Sequence, residues 1–338
     1  MAEILLWTLS SVLIAFILTW GARKVALYNG LTDKPSYRKK QTQAVPYLGG
    51  VAVCLTFLIL SALYWLGQDV HVFSRASIST LVLLCLLILL VGLIDDVAIV
   101  HYRTKFIFQT IIAAGASLAL ATSATKVFLF KYQVINILAT VLVIVILMNA
   151  INFMDNMDGL TAGLISISLS FLSIIALRNQ QEFVAVSSMI IVGAMLGFLP
   201  WNFPNARIYL GDAGTLFLGF IVSALGIQLS LPQISRPISL LIALQIFSIH
   251  IFDFLLVIIF RLLRKVNPAT PGRDHLSHRL EYLGLTRTKV TLLIWLLGII
   301  GGSSAILTSE HPPISLTISA GLLLFSTGIY IKTSEIRW

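Results

Sequence analysis

Between residues 149 and 159 the chain reads Asn-Ala-Ile-Asn-Phe-Met-Asp-Asn-Met-Asp-Gly, closing a long apolar run with a polar residue at every third position. On a helix end such spacing carries Asn149, Asn152, Asp155 and Asp158 up one side, so two amides and two carboxylates converge. Gly159 permits a change of chain direction before the next apolar run. Grouped acids at the mouth of a hydrophobic segment raise one another's pKa and dehydrate poorly. The pattern therefore asks for a cation or a reacting proton.

Other stretches have comparable chemistry. Asp95-Asp96 precedes Arg103 and Lys105 within one short gap. Adjacent carboxylates ionise together only with cationic support, which fits either a structural ion-pair knot or a catalytic pair. Gly211-Asp212-Ala-Gly214-Thr215 opens an apolar helix; glycines with free backbone N–H groups suit a phosphate and its metal, and an Asp there is equally an ordinary cap. A Pro/Gly-rich loop carries Arg273, His275, His278 and Arg279, with both histidines on one side of a short amphipathic segment ending at Tyr282. Histidine with arginine and no cysteine favours anionic oxygen contacts over structural zinc. The basic run Arg38-Lys39-Lys40-Gln41, followed by Gly49-Gly50, reads as a lipid-facing or a phosphate-facing loop. His250 and Asp253, three apart inside an apolar run, either satisfy each other or mark an intramembrane functional acid.

The elements that must position these groups are membrane spans. Of 338 residues 58% are hydrophobic and 11% charged, and the mean hydropathy is +0.95, which excludes a soluble domain. Eleven apolar runs are expected as spans, near 4–20, 47–66, 77–94, 106–124, 134–152, 160–177, 183–200, 213–231, 238–262, 289–308 and 314–331. The expected fold is all-α, a polytopic integral membrane helical bundle forming a single domain over 1–338. The first run, Ile4 to Trp20, lacks a basic leader and a small-residue cleavage site, so it is expected as a retained span. Cys54 and Cys85 lie within apolar runs and read as packing residues, not as a disulfide or a zinc site. The net charge of +9 is spread over the gaps between spans, so no nucleic-acid partner is expected.

Numbering the gaps in order, the odd ones and the C-terminal tail hold 18 of the 23 lysines and arginines. The positive-inside rule puts those gaps in the cytoplasm, with the N-terminus outside and the C-terminus cytoplasmic. The same parity places the polar stretches on one face, in loops near 21–46, 95–105, 152–159, 201–212 and 263–288. A carrier would instead place ionisable groups near mid-membrane, commonly in interrupted helices of an inverted repeat.

Asp95-Asp96, Asn149-x-x-Asn152-x-x-Asp155-x-x-Asp158-Gly159, Asn202-Phe203 through Gly211-Asp212-Ala-Gly214-Thr215, and His275-x-x-His278-Arg279 occur in that order. This succession resembles the polyprenyl-phosphate N-acetylhexosamine-1-phosphate transferases of glycosyltransferase family 4. Within them it is similar to the branch that makes undecaprenyl-diphospho-N-acetylglucosamine for O-antigen, teichoic acid and related glycans. The resemblance runs from about Asp33 to Arg279. Departures are Asn156 where the family often has Gly, Gln41 where it has His, and Ser277 where it has a further His.

The resemblance implies transfer of a sugar-1-phosphate from a UDP-sugar to a polyprenyl phosphate in the bilayer of the cell membrane, on its cytoplasmic face, with release of UMP. It implies Mg²⁺, for which Mn²⁺ can substitute, held by Asp212 and Asn152 with Asp155. Asp95 and Asp96 would orient or deprotonate the lipid phosphate, and Asp155, Asp158 and Asp212 complete the catalytic acids. Lys105, Asn149 and Asp158 would surround nucleotide and diphosphate, Phe203 would stack on uracil, and Arg273, His275 and His278 would grip the diphosphate. A homodimer is left open. The sister enzymes that transfer phospho-N-acetylmuramoyl-pentapeptide typically carry adjacent histidines followed by an acid, which this loop lacks. A transporter or lipid-linked sugar flippase would centre on His250 and Asp253. The CDP-alcohol phosphotransferases are set aside because Asp158-Gly159 is followed by Leu-Thr-Ala-Gly.

Overall fold

The computed structural model describes residues 2–33, 44–66, 75–98, 100–121, 131–231, 234–270, 272–308 and 312–334. The basic run Lys34 to Gln41 lies outside the described residues. Those described form thirteen helices and one two-stranded ribbon. After α1 (Ala2–Tyr28), strands β1 (Thr32–Asp33) and β2 (Val45–Pro46) pair antiparallel. Then follow α2 (Gly49–Leu66), α3 (Arg75–Ala98), α4 (Tyr102–Ala121), α5 (Gln133–Met154), α6 (Leu160–Arg178) and α7 (Glu182–Asn202). The chain continues with α8 (Gly211–Gln228), α9 (Arg236–Ile246), α10 (Ser248–Leu263), the short α11 (Leu276–Tyr282), α12 (Arg287–Leu307) and α13 (Pro312–Lys332).

Each expected apolar run coincides with a helix or, once, with a helix pair. Among the described residues, eight helices are long and apolar enough to cross a bilayer, nine with the α9–α10 pair; α2 is slightly short, and α4 carries Arg103 and Lys105 in its first turn. Together these describe a polytopic all-α membrane protein. The ninth expected span, 238–262, is not straight: α9 and α10 meet at 82° around Phe247. No Gly or Pro marks the break. It is accommodated where the Ser168 hydroxyl of α6 donates to the Ile246 carbonyl at 3.1 Å, replacing a helical partner.

The bundle is built around α8. Within its apolar window 89% of residues are buried, against 22% in α1 and in α13, so α8 is sheathed by protein while the other two turn outward. Leu216, Phe217 and Phe220 of α8 are fully buried, whereas Leu5, Leu6, Leu9 and Leu13 of α1 are exposed. Lipid is as apolar as leucine, so helices in a bilayer associate through close van der Waals packing where small residues permit it. Gly50 and Gly214 supply such a place: a Cβ on Gly50 would stand 2.2 Å from the Gly214 Cα. α2 thereby docks backbone to backbone on the first turn of α8, fixing its start.

Candidate active site

Asp95 and Asp96 lie in the last turn of α3 rather than in a loop, and Lys105 in the first turn of α4. Asp95 Oδ1 accepts from the Val100 amide at 2.6 Å, while its Oδ2 pairs with Lys105 Nζ at 2.8 Å. The same ammonium also pairs with Asp212 Oδ2 of α8, and Asn152 Nδ2 of α5 donates to Asp212 Oδ1 at 2.6 Å and to Thr215 Oγ1 at 2.8 Å. Four helices thus contribute one charged cluster. Side-chain exposure is 11% for Asp95, 15% for Lys105 and 31% for Asp212, so Asp212 is the member open to a ligand. One ammonium shared by two half-buried carboxylates leaves the cluster short of positive charge.

Asp96 does something the sequence did not disclose. Its Oδ1 accepts from the Asp212 amide at 2.7 Å and its Oδ2 from the Ala213 amide at 3.1 Å. α8 has no side-chain cap of its own, so a carboxylate 116 residues away in sequence caps it from outside. Two backbone amides expected to be free for a phosphate are therefore occupied. Gly211 makes room: its φ is +73°, and a Cβ there would stand 2.6 Å from Asp96 Oδ2.

The segment 149–158 does not converge as its spacing suggested. Asn149 Nδ2 bonds Gln109 Oε1 of α4 and the Val145 carbonyl, both at 2.8 Å, away from Asp212. Asp158 Oδ2 accepts the Ala206 amide at 3.0 Å, and Asn202 Oδ1 accepts the Gly159 amide at 2.8 Å, tying this turn to the loop after α7. An i, i+3 stripe drifts around an α-helix, and α5 persists to Met154, so successive groups address different neighbours. Asp155 remains beside the centre: burial first, then the charges of Asp212 and Asp158, push its carboxyl up to about 7. Burial likewise raises Asp158, and Tyr209 is pushed up to about 12 by burial and by Asp158 and Asp33. The Asp155 and Tyr209 shifts also register nearby carboxylate charge, whereas Arg287 partly offsets the rise at Asp158 and Tyr209. Phe203 packs on Gly159 and lies 5.2 Å from the Trp295 ring, part of its surface already covered.

The histidine loop is held by buried charge. Arg261 of α10 grips Asp274 through both carboxylate oxygens, at 2.8 and 2.5 Å, and donates to the Pro268 carbonyl at 2.6 Å. Burial alone would raise the Asp274 carboxyl, but the guanidinium prevails and holds it low. Arg279 is fully buried, donating to the Asp274 carbonyl at 2.7 Å and to Thr333 Oγ1 at 2.6 Å. It is a strut for the loop rather than an anion contact. His275 and His278 stand with ring centroids 6.4 Å apart, and Arg273 is exposed beside them. Burial, then His275 and Arg273, lower the His278 imidazole to about 4. Ser277 Oγ donates to Asn156 Oδ1, joining this loop to the turn that carries Asp155. The alternative pairing of His250 with Asp253 fails: neither His250 nitrogen has a partner among the described residues, and Asp253 faces His275 instead.

Sequence reasoning assigned no role to Arg261, Asp274 or Tyr330, and marked Asn202 only as part of a motif; Arg261, a cation at the end of an apolar helix, was a visible signal.

The fold and site define a polytopic all-α membrane protein with a charged centre assembled from helix ends on one face of the bundle. The model for glycosyl transferase family 4 matches residues 78–230, which include Asp95, Asp96, Lys105, Asn152, Asp155 and Asp212. The chain is 30% identical over 335 residues, 96% of its length and 90% of the relative's, to a probable undecaprenyl-phosphate N-acetylglucosaminyl 1-phosphate transferase of Bacillus subtilis. It is also 29% identical over 337 residues (90% and 82%) to decaprenyl-phosphate N-acetylglucosaminephosphotransferase of Mycolicibacterium smegmatis. Over 290 residues (81% and 76%) it is 26% identical to undecaprenyl-phosphate alpha-N-acetylglucosaminyl 1-phosphate transferase of Escherichia coli K12. The chain belongs to glycosyl transferase family 4.

Proposed function

We propose that the protein transfers N-acetylglucosamine-1-phosphate from a UDP-sugar to polyprenyl phosphate, releasing UMP, at the cytoplasmic face of the cell membrane. One observation carries the proposal: Asp95, Lys105, Asn152 and Asp212, from four helices, meet at one end of a chain that aligns nearly end to end with such transferases. The cytoplasmic side follows from the lysine and arginine distribution.

Among the described residues no three acidic, histidine or cysteine side chains form a metal cage of their own. That suits Mg²⁺, which commonly takes one or two carboxylates and completes its shell with water and substrate phosphate oxygens. The partly open carboxylate of Asp212 and the half-buried one of Asp155, with Asn152, fit such an ion. When bound it would neutralise charge on the donor diphosphate and the leaving UMP. Asp95 holds Lys105, whose ammonium is placed to pair with diphosphate oxygens. Asp96, with both oxygens committed to backbone amides, serves as a positioning residue that fixes Asp212. This replaces a role on the lipid phosphate. His275, His278 and Arg273 supply donors to the diphosphate, and Phe203 offers an edge to the base.

A phosphate monoester has its second pKa near 6, so the acceptor is largely dianionic at neutral pH and needs no strong base. Its oxygen attacks the β-phosphorus in line, the bond from that phosphorus to the bridging oxygen breaks, and UMP leaves with the electron pair.

The test is UMP release by purified protein in detergent with undecaprenyl phosphate and UDP-N-acetylglucosamine, with and without Mg²⁺. UMP should appear only when lipid and metal are both present. A phosphorylated protein, or exchange of labelled UMP into the UDP-sugar without lipid, would overturn direct attack. Inactivity of folded protein across a panel of UDP-sugars would overturn the transferase reading itself.

A further inference from the structure

Asp253 lies within α10, 1% exposed, in surroundings where a carboxylate is costly. Its Oδ2 accepts from His275 Nδ1 at 2.9 Å. Its Oδ1 accepts from the Leu276 amide at 2.6 Å and from the Tyr330 hydroxyl at 2.7 Å. Tyr330 is fully buried in α13, stacked 4.0 Å under the Arg279 guanidinium and 5.3 Å from the Phe260 ring. Three helical elements therefore meet on one carboxylate.

An ionised carboxylate only accepts, so Nδ1 of His275 carries a hydrogen. That leaves Nε2, which makes no hydrogen bond among the described residues. The ring's tilt is fixed by Phe153 of α5, edge-on with centroids 5.5 Å apart. Packing alone does not require this arrangement. Leu276 and Leu280 already seat α11 in an apolar cluster, and a hydrophobic residue at 253 would fill the same space without a buried charge. What the carboxylate adds is direction.

We infer that Tyr330 and Asp253 are positioning residues for His275, a relay from α13 through α10 that reserves Nε2 for an anionic oxygen of the sugar-nucleotide donor. The inference rests on the reading of the histidine loop as donor-binding. Tyr330 steadies the carboxylate, the carboxylate sets the tautomer and plane of the imidazole, and the imidazole meets the diphosphate. No covalent step is involved.

The experiment measures UMP release by the full chain in detergent, varying UDP-N-acetylglucosamine at saturating undecaprenyl phosphate. Tyr330→Phe removes one hydroxyl and keeps the ring. Losing one hydrogen bond, about 1 kcal/mol, should raise the donor KM about fivefold. kcat and the acceptor KM should stay within about twofold. His275→Gln should raise the donor KM further, and adding Tyr330→Phe to it should change nothing more, because the two act in series. Asp253→Asn, which keeps one accepting oxygen, should fall between Tyr330→Phe and Asp253→Leu. An effect of Tyr330→Phe that multiplies undiminished in the His275→Gln background, or one confined to thermal stability, would overturn the relay. A donor KM unmoved by His275→Gln would instead overturn the donor-binding reading of the loop, and the relay with it.

Discussion

Two charged regions stand side by side on one face of this bundle, and they treat charge in opposite ways. In the first, where α3, α4, α5 and α8 meet, one lysine serves two carboxylates and Asp212 stays partly open. In the second, where α10, α11 and α13 meet, Arg261 and Asp274 pair through two bonds, and Arg279 and Asp253 are buried with several partners each. The first has charge left over for a ligand; the second spends its charge on holding two histidines still. Burial and pairing alone would rank the second as the more perturbed site. Incompleteness, not strength, is what marks the first region as the proposed reacting centre.

The sharpest test of that contrast exchanges one acid from each region. Asp212→Asn should lower kcat/KM on the order of a thousandfold, with the melting temperature nearly unchanged, because the open centre contributes chemistry rather than stability. Asp274→Ala should do the reverse. Stranding the buried Arg261 costs about 3–5 kcal/mol, seen as a large drop in melting temperature, and a further Arg261→Met should restore part of it. Equal stability losses in both variants would erase the distinction.

Asp96→Ala probes what holds the open region in place. Losing the external cap of α8 should cost about 1 kcal/mol of stability and, by loosening Asp212, roughly ten- to a hundredfold in kcat. Full activity in this variant would show that α8 keeps its place without Asp96. Ser277→Ala cuts the hydrogen bond to Asn156 that joins the two regions. About 1 kcal/mol of stability and a few-fold in kcat/KM should go with it, and an unchanged enzyme would show the regions to be independent.

The smallest effect is a pH dependence from His278, whose neighbours are His275, Arg273 and Glu281. The unfolded chain takes up this proton near 6.5, the folded one only near 4. Stability is thus full above the unfolded value and declines as pH falls through the window between the two. From pH 7.5 to pH 6 the loss should be under about 1 kcal/mol, and His278→Gln should flatten the curve in a thermal melt. A melt equally steep in the variant would assign the slope to another group.

Hydropathy made the helices legible, because a span must satisfy its own backbone and so announces itself as a long apolar run. The common face of Asp95, Asn152, Asp212 and His275 was legible through the lysine and arginine count. The bend at Phe247 was not, since an uninterrupted apolar run such as 238–262 carries no record of angle. Nor was the cap that Asp96 gives α8: Asp96 reads like its neighbour Asp95, and what separates them is a partner 116 residues away. Asn149 shares the spacing of the site residues, yet its amide is bonded to Gln109 and the Val145 carbonyl, which the spacing does not announce.

The bond from Tyr330 to Asp253 also bears on biogenesis. The histidine loop leaves the ribosome about fifty residues ahead of Tyr330, since Arg279 and its partner carbonyl at Tyr330 are 51 positions apart. While α13 is still inside the translation machinery, Arg279 and Asp253 lack the partners they take from it, and the loop is held without them, by Arg261 and Asp274. On the proposed reading of the loop, donor affinity should therefore reach its full value only once α13 docks. A chain interrupted before that point should insert its earlier helices yet hold the nucleotide sugar more weakly than the full chain does.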